Sequence, residues 1–287
     1  MRNKTAVNIL SWNIQWGRGA DGEVRLSRII DTVRGMGAVE VICLQEVAQG
    51  VEGLKGGAVG DQVARLAEAF PQHRAFFGAA VDRLCEDGGR ARFGNLVLSS
   101  LPVDQVFHHL LPCPADPGVP GMPRACTEVV VLADSGPLRV LTTHLEYYSP
   151  RQREAQVAAL RALQLEVADN LLHPANGKED NPVFAPRPRP LEAVVCGDFN
   201  CEPDSPAYRL MGEAMTVPQA RWRDAWRVLH DGPHPATVGL NGAEWPDRPY
   251  CCDYFWVSEA LRPRVRALSC NPHTAASDHQ PLLLTLG

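Results

Sequence analysis

Asp278 and His279 stand side by side near the end of the chain, in SDHQPL. A carboxylate suits a hard divalent cation, and the neighbouring imidazole can stabilise a phosphoryl oxygen or carry a proton. Such a histidine needs an orienting acceptor, and Asp253 in CCDYFWV is a candidate. Asp198-Phe199-Asn200 supplies a carboxylate to hold or deprotonate water and an amide to position it. Asn13, Glu46 and His144 extend the set. Singly, each has a plainer reading: Asn13 as a turn cap, Glu46 as a surface carboxylate or helix start, His144 as a core histidine, Asp198-Phe199-Asn200 as an Asx turn. Jointly they provide positioning and charge stabilisation, which is what phosphoryl transfer chiefly asks for.

These residues share a position. Asn13 follows VNILSW, Glu46 follows VICLQ, His144 follows LRVLTT, and Asp198 follows AVVCG. Each lies where an apolar run gives way to a loop, so strands converging at one sheet edge would gather them in one cleft. Strands are expected over 7–12, 41–44, 191–196, 254–257, 265–268 and 281–286. Residues 74–145 hold short apolar runs between Pro- and Gly-rich turns, the pattern of antiparallel or mixed sheet. Leu26, Ile29, Ile30 and Val33 recur at helical spacing, with Gly37 as the stop, and a second helix is expected around 61–70. Ser149 opens a third, with Pro150 at its first position, Gln152 placed for a capping box, and Val157, Leu160, Leu163, Val167 and Leu171 as its apolar stripe. Residues 173–190, rich in proline and charge, read as a surface loop. The elements predict two sheets packed face to face with helices outside, in one domain over 1–287.

The chain has 287 residues, 45% of them hydrophobic, and a formal net charge of -5. The acidic balance gives no support for extensive contact with duplex nucleic acid. Two basic clusters remain, Arg221, Arg223 and Arg227, and Arg262, Arg264 and Arg266, and Trp16 and Trp245 are candidates for stacking on bases. No apolar run has the length of a signal peptide or a membrane span. The nine cysteines are scattered; Cys43 and Cys196 read as reduced core residues, and Cys251-Cys252 lacks zinc-site spacing. A cytoplasmic location is the expectation, with no membrane insertion and no protein partner.

NILSWN, CLQE, TTHLE, GDFN, CDYFWV and SDHQPL occur in that order. Together they resemble the endonuclease/exonuclease/phosphatase superfamily, in particular its deoxyribonuclease-type and tyrosyl-DNA phosphodiesterase-like members, over Asn8 to Leu282. The resemblance implies a four-layer α/β sandwich of two packed mixed β-sheets flanked by helices. It implies Mg²⁺, with Mn²⁺ as a substitute. Carried over residue by residue, Glu46 is the main magnesium ligand, with Asn13 and Asp278 beside the metal. Asp198 orients or deprotonates the attacking water, and Asn200 contacts that water and the phosphate. His279, partnered by Asp253, and His144 stabilise the phosphate, and Arg124 contacts it. Asp224 is structural, and the capping role of Ser149 already explains that residue. The THLE-x-x-S character of HLEYYSPRQREAQ points to DNA ends or single-stranded nucleic acid. The alternative is a small phosphorylated metabolite or phospholipid head group. A non-catalytic binding module would have lost at least one of Glu46, Asp198, Asn200 and His279, and none is lost.

Overall fold

The computed structural model describes residues 6–241 and 248–287. The first half of the chain runs β1 (Val7–Asn13), α1 (Leu26–Gly35), β2 (Val41–Gln49), α2 (Gln62–Ala69), β3 (Arg74–Leu84), β4 (Arg90–Ser99), β5 (Val103–Leu110), β6 (Ala125–Ala133) and β7 (Gly136–His144). The second runs α3 (Pro150–Leu172), β8 (Ala193–Asp198), α4 (Pro206–Gly212), β9 (Trp222–Asp224), α5 (Ala225–Leu229), β10 (Asp253–Ser258), β11 (Val265–Cys270) and β12 (Leu282–Leu286). The strands form two six-stranded mixed sheets, in the orders β11-β12-β1-β2-β4-β3 and β5-β6-β7-β8-β10-β9.

The central strands are apolar on both faces because each is covered twice. Val7 and Ile9 of β1 meet Val194 and Cys196 of β8 in the core between the sheets. Leu10 and Trp12, on the opposite face of β1, pack beneath Leu26, Ile29 and Val33 of α1 and Leu66 of α2. On the far side, Val195 of β8 and Tyr254 and Trp256 of β10 pack against Val157 and Leu160 of α3 and Met211 of α4. Helices, sheet, sheet, helices: this is the four-layer α/β sandwich. Each fully buried leucine or valine contributes about 1.5–3 kcal/mol, so the alternation itself fixes which face of each strand turns inward.

The local signals act as read, with some differences. Gly37, at φ +91°, follows Met36, the C-cap of α1. Asp61 caps α2 by accepting from the Ala64 amide. Ser149 caps α3 by accepting from the Gln152 amide at 3.1 Å. The reciprocal half of the capping box is not made: Gln152 Nε2 donates instead to the Pro114 carbonyl at 2.9 Å. Leu171, assigned to the apolar stripe, is 41% exposed. The loop over 173–190 is largely exposed, and its end is tied down by Arg187 on Asp104 and Arg189 on Glu128.

Candidate active site

Two parallel strand pairs decide where the polar residues go. β1 runs parallel to β2 with Asn13 beside Gln45, and β7 runs parallel to β8 with His144 beside Asp198. Their carboxyl ends therefore open at the same end of the sandwich, the usual place for a ligand crevice in such sheets. β10 lies antiparallel to β8 and brings its first residue, Asp253, opposite Asp198. Gly197 permits this packing: a Cβ there would meet the Thr143 carbonyl oxygen at 1.9 Å, and its φ is +135°. Below the site the sheets are joined by Gln45, whose Nε2 donates to Thr142 Oγ1 at 2.8 Å.

Glu46 departs from the expected position. The strand beginning VICL does not stop before it but continues to Gln49, with a bulge in the pairing to β4 between Leu44 and Val47. Bulges re-aim side chains next to active sites. Glu46, at φ +58°, is turned into the cleft by this one.

Asp198 is at the centre. The amide of Asn13 donates to Asp198 Oδ2 and to Glu46 Oε1, both at 3.0 Å. His279 Nε2 lies 3.6 Å and His144 Nε2 3.4 Å from Asp198 Oδ2. Asn200 donates its backbone N–H to Asp198 Oδ1 at 2.8 Å and its side-chain amide to the Leu145 carbonyl at 2.9 Å. His279 Nδ1 is 2.9 Å from Asp253 Oδ2, with both side chains buried. The backbone of His279 is fixed as well, since Trp12 Nε1 donates to its carbonyl at 2.9 Å. Arg124 is buried and ion-paired with Glu146 through Nε at 3.2 Å, while its buried Nη1 has no hydrogen-bond partner among the described residues.

The environments set the two histidines apart. Burial works against a charge on His279, but the carboxylates of Asp253, Asp198 and Asp278 outweigh it and raise its pKa well above the usual histidine value. His144 is pushed well below that value by burial and by the positive charges of Arg124 and His279. Burial, reinforced by Asp253, raises Asp198 to about 6 against the opposing charge of His279 and the hydrogen bonds from Asn200 and Asn13. A cationic imidazole, a neutral one and a carboxylate poised near neutrality thus share one site, the division of roles expected of acid–base groups.

A divalent cation has two sets of residues to choose from. Asp198, Cys252 and His279 bring ligand atoms within 4.8 Å of one another. Burial holds the Cys252 thiol well above its usual pKa, and it donates to Asp253 Oδ2 at 3.5 Å. A protonated thiol behind a cationic histidine is a poor partner for a hard cation. The oxygen-rich side is the better fit. Glu46 is raised to about 7 by burial and by the neighbouring Asp278 carboxylate, against the hydrogen bond from Asn13. Two like-charged carboxylates at a cleft, with an amide between Glu46 and Asp198, match the donor chemistry of Mg²⁺ or Mn²⁺.

Sequence reasoning missed Gln15. Its Nε2 donates to Asp278 Oδ2 at 2.7 Å, and it lies two residues beyond Asn13, just past NILSWN. Gln15 and Trp16 both line the cleft, as do Glu46, Arg124, His144, Asp198, Asn200, Asp278 and His279. The basic clusters lie elsewhere. Arg221, Arg223 and Arg227 border a separate groove beside β9, with Arg209 and Arg262. Arg264 pairs with Glu192, and Arg266 donates to backbone carbonyls. Asp224 caps α5 through the Trp226 amide and accepts from Tyr208 Oη at 2.6 Å, a structural arrangement. Trp245 lies outside the described residues. None of the nine cysteines is in a disulfide. No described helix is long and apolar enough to cross a membrane.

Residues 10–279 match the model of the Endonuclease/Exonuclease/phosphatase family. No curated protein matches the sequence. Among solved structures, an endonuclease/exonuclease/phosphatase from Beutenbergia cavernae DSM 12333 has a TM-score of 0.70 at 23% identity, covering 98% of this chain and 71% of that one. D. rerio TDP2 complexed with single strand DNA product has a TM-score of 0.64 at 14% identity, covering 99% of each chain. Mannosyl-6-phosphatase Bt3783 of Bacteroides thetaiotaomicron VPI-5482 has a TM-score of 0.63 at 14% identity, covering 98% of this chain and 100% of that one. At these identities the likeness is one of fold.

Proposed function

We propose, from the premise that the chain belongs to the endonuclease/exonuclease/phosphatase family of phosphoester hydrolases, that it is a divalent-metal-dependent phosphodiesterase. The observation that carries this is Asp198, raised to about 6, held within 3.6 Å of both histidines and hydrogen-bonded to Asn13. Asp198 accepts the proton of the attacking water, and Asn200 orients that water. The cationic His279 meets negative charge as it builds on the phosphoryl oxygens, where a preorganised donor is most effective. Neutral His144 and the unpartnered Nη1 of Arg124 are donors to the same oxygens. Glu46 and Asp278, with Asn13, would hold Mg²⁺ or Mn²⁺, which supplies Lewis-acid stabilisation of the phosphoryl group when bound.

For the substrate, DNA ends or single-stranded nucleic acid is the leading reading, supported by the likeness to TDP2, a protein captured with single strand DNA product. A small phosphorylated metabolite is the second, favoured by the net charge of -5 and by the equal likeness to a mannosyl-6-phosphatase. Asp198→Ala and His279→Ala are each expected to lower Mg²⁺-dependent hydrolysis of a generic phosphodiester by at least roughly 10²-fold. EDTA should abolish activity and Mg²⁺ or Mn²⁺ restore it. Near-parental turnover in either folded variant, or full activity after metal removal, overturns the assignment.

A further inference from the structure

The cleft holds about 470 Å³, within the range of small-ligand sites, and its polar lining lies mainly on its floor, with Arg83, two residues from Val81 on the same strand, and two tyrosines in its walls. The wall on the side of the first sheet is made by Trp16, Val51, Leu54, Val81 and Phe93. These residues form one connected surface. The Trp16 and Phe93 rings lie 6.4 Å apart at a 55° tilt, Phe93 is cross-strand partner to Val81, and Trp16 Nε1 donates to the Lys55 carbonyl beside Leu54. Loops flanking the second sheet add Met122, Tyr147 and Tyr148, the two tyrosines 44% and 57% exposed and edge to face at 4.8 Å.

Trp16 is held there against its backbone preference. It and Gln15 are consecutive left-handed residues, at φ +43° and +42°, a conformation that bulky side chains adopt only when their surroundings impose it. The surroundings hold them in place: Gln62 Nε2 donates to the Trp16 carbonyl at 2.7 Å and the Gln15 amide donates to Asn13 Oδ1 at 3.1 Å. One turn therefore does two things, setting Gln15 on Asp278 and presenting the Trp16 ring to the cleft.

Such a wall discriminates by what it lacks. A sugar or inositol phosphate carries hydroxyls that would lose water against the Trp16–Phe93 surface, which offers them no hydrogen-bond partner in return. A polyanion would need several cations, and the arginines lining the cleft are Arg83 and Arg124, the latter already shared with Glu146. A flat, uncharged ring loses nothing there and gains contact with the Trp16–Phe93 surface. Resting on the hydrolase reading above, we propose that Trp16 and Phe93 are specificity-determining residues and that the substrate class is a phosphodiester whose retained group, the one still joined to the phosphate after hydrolysis, bears a planar ring, a nucleobase or an aryl group, next to that phosphate.

Methyl, phenyl and thymidine 5′ p-nitrophenyl phosphodiesters all carry the same aryl leaving group and differ only in the group retained, the phenyl and thymidine compounds being the ring-bearing esters, so their kcat/KM ratios isolate the contribution of the wall to the retained group. With Mg²⁺ present, the ring-bearing esters should exceed the methyl ester by at least about tenfold, the scale of apolar pocket discrimination. Mannose 6-phosphate and inositol phosphates should be poor substrates. Thymidine favoured over phenyl identifies a nucleobase, and phenyl over thymidine an aryl ester. Trp16→Ala should collapse the ring-to-methyl ratio towards one, chiefly through KM. Phe93→Ala, on a regular strand, should reduce the same ratio should the Trp16 variant fail to fold. A parental ratio below about two, a ratio retained in folded variants of both residues, or a preference for the sugar phosphates overturns the proposal and leaves the hydrolase reading standing. No hydrolysis of any ester with Mg²⁺ or Mn²⁺ overturns both.

Discussion

Replacing Asp253 with asparagine removes one negative charge from beside His279 and leaves the side-chain shape in place. The native contact is 2.9 Å, between buried groups. Asp253 Oδ1 has no hydrogen-bond partner among the described residues, so an amide nitrogen in its place exchanges one unpaired atom for another and adds little new cost. What is lost is the carboxylate charge opposite the imidazolium, the amide oxygen still accepting from Nδ1, so the loss is bounded by the worth of a hydrogen bond to a charged partner, about 1.5–3 kcal/mol. At 1.36 kcal/mol per tenfold, that is roughly 10- to 150-fold in rate. Asp198 Oδ2 stays 3.6 Å from the other ring nitrogen, so His279 keeps an anionic neighbour and the expected loss is about 30-fold. It should fall on kcat, because the charge on His279 is matched to charge that develops only as the phosphoester breaks. Steady-state kinetics on a p-nitrophenyl phosphodiester, alongside thermal melts, separates this from a folding defect. Asp253→Ala, which also removes the orienting acceptor, should lose more than Asp253→Asn. If Asp253→Asn keeps its kcat within twofold of the parent and an unchanged melt, the reasoning about His279 is refuted.

Stability should be governed by a different carboxylate. Glu128 is fully buried between Arg139, whose Nε donates to it at 2.7 Å, and His109 at 2.9 Å. Burial alone would raise its pKa, but those hydrogen bonds and the charges of Arg139 and Arg189 hold it at about 2. A value depressed in the folded state gives stability that is full above the ordinary 4.5 and drains as pH falls towards 2. Denaturant unfolding should thus lose roughly 2 kcal/mol from this group between pH 7 and pH 3, and Glu128→Gln should flatten the profile by that amount. An unchanged acid slope in Glu128→Gln counts against it. Arg139→Met should cost about 3 kcal/mol at neutral pH by leaving the buried carboxylate short of its main partner, and a melt within a degree or two of the parent would show that Arg189 and His109 suffice.

Much of the candidate site is legible in the sequence because its residues sit at the ends of strands that the core makes obvious. Asn13, His144 and Asp198 are the last residues of β1, β7 and β8, and an apolar run that stops abruptly marks such a position without knowledge of its neighbours. Residues whose role depends on pairing are hidden. Glu46 follows VICLQ as if in a loop, and only the mismatch with β4 makes it a bulge within a strand. Trp12 reads as a core tryptophan, and it is one, but its Nε1 also anchors the His279 carbonyl from 267 residues away. The two arginine clusters look alike in sequence but divide differently in space: Arg262 joins Arg221, Arg223 and Arg227 at a groove apart from the cleft, while Arg264 is tied to Glu192 and Arg266 to backbone.

The backbone carries a signal that side-chain chemistry does not. Six non-glycine residues among those described have positive φ, and four of them, Gln15, Trp16, Glu46 and Asn200, line the cleft. Asparagine tolerates this region, while glutamate and tryptophan do so only when their surroundings impose it. Those surroundings are the double-sided core: β1 and β2 are locked in parallel register, the Ile14 amide donates to the Gln45 carbonyl at 3.1 Å, and Gln45 reaches Thr142 across the sheets. The strain therefore draws on the stability of both sheets. Relaxing Gln15 or Glu46 to ordinary backbone would swing a group away from Asp278 or Asn13 without removing any titratable residue. The cleft is assembled by the packing of the sandwich, and its chemistry depends on four left-handed residues at three places in the chain that the rest of it is stable enough to hold.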